Sequence, residues 1–100
     1  MGKRLPPDQL ALYKRIDVIL WEDWDPIGVN VIEDARDEYQ SYLPGIFALA
    51  LDRCDVDEIA DRLQLIERQT MGLPGDRDHR VWVGGKIREE RIEILGPVRP

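Results

Sequence analysis

Two groups of carboxylates lie close together in this chain. Asp23 and Asp25 flank Trp24 in WEDWDPIGVN, residues 21–30, and Asp34, Asp37 and Glu38 fall within about two helical turns. Asp34 and Glu38 are four apart and would share one face of a helix. Oxygen-rich clusters of this kind suit a hard divalent cation, or general acid–base catalysis if one acid is buried and its pKa raised. No calcium-loop spacing follows, and acids at helix starts are favoured by the helix dipole in any case. The other reactive side chains are single: His79 in the DRDHR stretch, Cys54, Ser41 and Thr70. His79 reads as an exposed titrating group. His79 and Cys54 together are two ligands short of a zinc site. Ser41 and Thr70 have no nucleophile-elbow context, and Gly84-Gly85 lacks the spacing and ending of a phosphate loop. The reading is a protein that is not an enzyme, with no cofactor and no metal.

The acids carry a different implication. Residues 22–61 hold twelve acids and two bases, Arg36 and Arg53, a net of −10 within a chain of net charge −6. Such a stretch repels phosphate, which argues against nucleic acid, and attracts a basic protein. An antitoxin or immunity-type protein occupying a cationic groove is one concrete form. Trp21, Trp24, Tyr39 and Tyr42 would then be anchors beside Asp23, Asp25, Asp34, Asp37 and Glu38, because aromatic residues dominate interface energetics. The bland alternative is that these acids keep helix faces solvated. A homodimer through the apolar residues of the C-terminal segment is a third possibility.

A small helical array must position these groups. Residues 1–7 read as a flexible arm ending in Pro-Pro, residues 8–95 as one helical domain and residues 96–100 as a frayed tail. Asp8 is placed to cap a helix over Gln9–Asp23, whose apolar face is Leu12, Ile16, Ile19 and Leu20, widened by Tyr13 and Trp24. Pro26 disfavours helix at Asp25, and Gly28 permits a positive φ just beyond. WEDWDPIGVN is therefore a joint, followed by a short connector over Val29–Ile32. Asp34 could cap a short helix through Tyr42. Pro44 fits the first turn of the next helix, through Asp52, which is apolar nearly all round and so predicted to be central and buried.

In CDVDEI, Asp55 and Glu58 have capping-box spacing, with Cys54 and Ile59 as a hydrophobic staple. That helix carries Val56, Ile59, Ala60, Leu63, Ile66 and Thr70 on one stripe and closes at MGLPG, where Gly72 can take the left-handed cap. Glu67 lies beside the stripe. A buried carboxylate needs a donor, and a tyrosine hydroxyl or the backbone amides of the 25–32 turn are the candidates. The segment after Asp76 reads either as a hairpin around Gly84-Gly85, which composition slightly favours, or as a helix weakened by two glycines at about 1 kcal/mol each. No apolar run is long enough to span a membrane, MGKRLPPDQ has no signal-peptide core, and a lone cysteine fits a reducing, cytoplasmic setting.

WDPIGV at 24–29, DEYxxY at 37–42, LP with its apolar helix at 43–51, EIAxxL at 58–63 and IExxxMGLPG at 66–75 occur in that order. The ordered set resembles the YugE-like family of small bacterial helical proteins of unknown function, over about residues 10–75. The resemblance implies an all-helical fold and carries no chemistry. In that family the last segment resembles a helix with a V-A-x-K-L-like pattern, whereas Val83-Gly84-Gly85-Lys86-Ile87 stands here.

Overall fold

Proline at a helix's first position gives up only an amide that has no intrahelical partner anyway. Pro7 uses this: helix α1 spans Pro7–Ile19 with Pro6 as its N-cap and no side-chain cap. Asp8 is not the cap; it sits inside the first turn, where its carboxylate accepts from the Gln9 N–H at 2.8 Å. The computed structural model describes residues 5–26, 28, 32–69, 72 and 76–97. Leu5, placed in the expected arm, packs against the core.

Leu12, Ile16 and Ile19 are buried along α1. The chain then continues as one π-helical turn, Leu20–Trp24, closed by the Asp25 N–H on the Leu20 carbonyl at 3.1 Å. Leu20, Trp21 and Trp24 are all buried in this wider turn. Asp25 ends it in the left-handed region (φ 31°, ψ 61°), a conformation that aspartate tolerates, and the following Pro26 disfavours continued helix there. Gly28 has φ +69°. The joint is where the spacing put it; of the connector beyond, only Ile32 lies among the described residues.

The helix expected from Asp34 to Tyr42 does not form. Glu33–Ala35 and Gln40–Tyr42 are single 3-10 turns with irregular turns between. Side chains drawn to other elements break the pattern. Arg36 reaches back to Asp17 on α1, and Tyr39, with φ −101° and ψ 1°, seats its ring among the tryptophans.

Helix α2, Leu43–Leu51, has Pro44 in its first turn and buries Leu43, Ile46, Phe47 and Ala50. Asp52 follows as its C-cap, and two residues on Cys54 is fully buried in a left-handed conformation (φ 52°) with its N–H on the Leu49 carbonyl. Asp55 then starts α3, Val56–Gln69, by accepting from the N–H groups of Asp57 (2.9 Å) and Glu58 (3.2 Å). Gly72 takes φ +66° after α3.

The hairpin alternative is overturned. Arg77–Leu95 is one 19-residue helix, α4, and Asp76 caps it by accepting from the Asp78 N–H at 3.0 Å. Gly84 explains why a glycine is tolerated: a Cβ there would lie 3.1 Å from the Val56 carbonyl oxygen and 3.3 Å from its Cγ1, so the α4 backbone lies close against the backbone and side chain of Val56 on α3. Helix α4 packs along α3 and α1 and also meets α2 and the π turn. It takes the central place that composition assigned to α2. The described residues are thus all-α: four α-helices, short 3-10 and π turns, and no strand.

Candidate functional site

The tightest polar cluster is buried. Glu67 projects from α3 into the core and is 3 % exposed; Arg80, from the first turns of α4, is 4 % exposed. The Trp24 indole N–H donates to Glu67 Oε2 at 2.7 Å, and Arg80 Nη1 donates to Oε1 at 2.9 Å. Glu67 therefore needed donors, as its position indicated, but they are an indole and a guanidinium rather than a tyrosine or turn amides. Arg80 Nε has no hydrogen-bond partner. His79 completes the joint with its Nε2 3.2 Å from the Trp24 carbonyl. A carbonyl only accepts, so that nitrogen carries the proton. His79 is half-buried against Trp82, not exposed as expected. These contacts tie the end of the π turn to α3 and α4. They supply both carboxylate oxygens of the buried ion pair with a donor, and Arg80 Nε is the one part of it left unmatched.

Aromatic rings surround this joint. Trp24 packs on Tyr39 (centroids 5.3 Å) and edge-on to Tyr42 (6.2 Å), and Trp21 packs on Tyr39 (6.2 Å). The Tyr39 hydroxyl donates to Asp25 Oδ1 at 2.7 Å. The structure brings together Trp21, Trp24, Asp25, Tyr39 and Tyr42; Asp25 and Tyr42 are half-buried, and the other three are core, Trp24 and Tyr39 each 2 % exposed and Trp21 9 %. Such rings cannot be free anchors for a partner. Their part is to hold the 33–42 segment in place.

The acids divide differently from the sequence. Asp23 is half-buried, 3.4 Å from Lys86 Nζ. Asp34, Asp37 and Glu38 are exposed and form no ion pair among the described residues. Arg36, the base among them, is withdrawn: it grips Asp17 with both Nη atoms (3.1 and 3.0 Å) and lies over the Trp21 ring at 5.3 Å. Asp52 and Asp55 at the corner between α2 and α3, and Asp57, Glu58 and Asp61 on α3, are also exposed. Arg77 engages two of these, Asp61 at 2.6 Å and Asp57 at 3.5 Å. The acids of the −10 stretch thus sit on different elements: Asp34, Asp37 and Glu38 on the turns before α2, the others on the α2–α3 corner and α3.

Other chemistry is not assembled. Among the described residues no three His, Cys, Asp or Glu side chains are grouped to hold a metal ion. No helix is long and apolar enough to cross a membrane. Burial pushes the Cys54 thiol pKa up, against the lowering pull of Arg88 and Arg91. That fits a packing residue, since the thiolate is the reactive form. Among the described residues, a hollow over Asp61, Gln64, Leu65 and Arg68 is lined by α3 alone, without the converging elements of a ligand site. Sequence reading missed Arg36, Arg80 and Trp82; of these only Arg80, near the flagged Glu67 side of the fold, had a signal, the demand of a buried carboxylate for a cation. Comparison with protein-family models, with curated proteins and with solved structures finds no significant match to this chain.

Proposed function

We propose that the protein is a non-enzymatic binding module whose 34–38 surface receives a basic protein partner, in the manner of an antitoxin or immunity protein. One observation carries this reading. Asp34, Asp37 and Glu38 stand exposed without counter-ions among the described residues, while Arg36 is turned away to Asp17 and Trp21. Withdrawing the only local base leaves an uncompensated negative field, which steers cationic partners and raises their association rate. The buried rings behind the segment keep it from collapsing onto the core. Membership of the YugE-like family belongs to the same proposal and supplies a helical fold without a chemistry.

The test is capture of a partner from the native cell at low ionic strength, followed by association kinetics with that partner. Asp34→Lys, Asp37→Lys and Glu38→Lys together are expected to slow association by about tenfold or more and to flatten its salt dependence. Identical rates for the two proteins between roughly 0.01 and 0.5 M salt would overturn charge-led docking.

A further inference from the structure

The outer face of α4 is formed by Asp78, Val81, Trp82, Gly85, Glu89 and Ile92, which recur at three- and four-residue steps and share one stripe. The opposite side buries Arg80, Val83 and Ile87. On the outer stripe Trp82 is 49 % exposed and Ile92 37 %. Trp82 is nevertheless held: its ring lies 5.6 Å from the His79 ring and 4.6 Å from Lys86 Nζ, and Lys86 is tied to Asp23. An exposed tryptophan fixed in advance is suited to anchor a partner, because its ordering entropy is lost before binding.

Gly85 is the second mark. Glycine inside a helix costs about 1 kcal/mol relative to alanine. Gly84 is required by Val56, but a Cβ at Gly85 would meet nothing within 4 Å. The fold has no use for this glycine. Beside Trp82 on an open stripe, it lets another backbone come close.

The charges select the visitor. Asp78 and Glu89 on the stripe, and Glu93 at its edge, are exposed and form no ion pair among the described residues. A second copy would bring the same carboxylates and be repelled. We infer that this face docks an amphipathic helix whose apolar ridge is bordered by lysine or arginine, with Trp82 wedged into the ridge and Gly85 admitting its backbone. The inference rests on the reading of the protein as a binder of basic partners, and it adds a contact on an element distinct from the 34–38 surface.

The probe is a synthetic helical peptide of leucine and lysine with its leucines on one stripe. Its control has the same composition in scrambled order, so charge is equal and the stripe is gone. Trp21 and Trp24 are buried, so acrylamide quenching of the native protein reports chiefly on Trp82. The striped peptide is expected to protect that emission and to bind about tenfold or more tightly than the control. Trp82→Ala, read by titration calorimetry, and Gly85→Gln, read by quenching, should each weaken it by about tenfold. Gly85→Gln keeps the test clean, because its helix propensity is better and nothing lies within 4 Å of a Cβ there. The triple lysine variant at 34, 37 and 38 should retain the preference for the striped peptide, so failure at one surface is read separately from failure at the other. Equal binding of both peptides, or an unaltered affinity in Gly85→Gln, overturns the inference. So does a dimer in sedimentation that Gly85→Gln dissolves, since a second copy would then be the occupant.

Discussion

Glu67 and the 34–38 acids are carboxylates of one small protein under opposite regimes. Glu67 is out of water and takes two strong donors, one from the π turn and one from α4. Asp34, Asp37 and Glu38 are in water and take none among the described residues. The first arrangement spends charge on holding three elements together; the second leaves charge for something outside the molecule. A local run of acids therefore says little about role. Burial decides, because a carboxylate in the core must be satisfied whereas one at the surface is hydrated.

The sharpest way to break this contrast is Glu67→Ala. It strands the Arg80 guanidinium in the core and is expected to cost about 3–5 kcal/mol in urea denaturation. Glu67→Met with Arg80→Leu should recover most of that loss, since both charges go together. A loss below about 1 kcal/mol for Glu67→Ala would mean the joint is not a strut. Next comes Trp24→Phe, which keeps a ring but deletes the indole donor to Oε2, for an expected loss of about 1–3 kcal/mol. The adjacent glycines test the packing of α4. Gly84→Ala should destabilise by about 1–3 kcal/mol through its approach to Val56. Gly85→Ala should stabilise by about 1 kcal/mol, and thermal melting reads the opposite signs directly. Smallest of all, the three lysine substitutions at 34, 37 and 38 should move stability by no more than about 0.5 kcal/mol. A larger effect would show that these acids serve the fold.

Local signals were read well where neighbours in sequence decide the outcome. The Asp55 cap, the Pro44 helix start and the Pro26–Gly28 joint each depend on a few adjacent residues. Two elements were misread because distant contacts outweighed local preference. Arg36 and Tyr39 are pulled to α1 and to the tryptophans, which breaks the short helix expected over 34–42. The two glycines argued for a hairpin, yet Gly84 is what lets α4 lie against Val56 on α3. At the candidate site, the burial of Glu67 was legible from its place beside an apolar stripe. Its donors were not, because Trp24 lies 43 residues away and no periodicity reports that pairing. The withdrawal of Arg36 is likewise a tertiary fact, and without it the acidic surface has no special standing.

The single thiol sits in the left-handed corner between α2 and α3, roofed by Arg88 of α4, whose Nη1 donates to the Cys54 carbonyl at 3.2 Å. A disulfide reagent in solution can therefore reach the sulfur only when that corner breathes, and the labelling rate at neutral pH counts those openings. Burial holds the proton on the sulfur in the native chain, so alkaline solution favours the opened form: the unfolded thiol ionises first, and stability declines as pH climbs past its ordinary range.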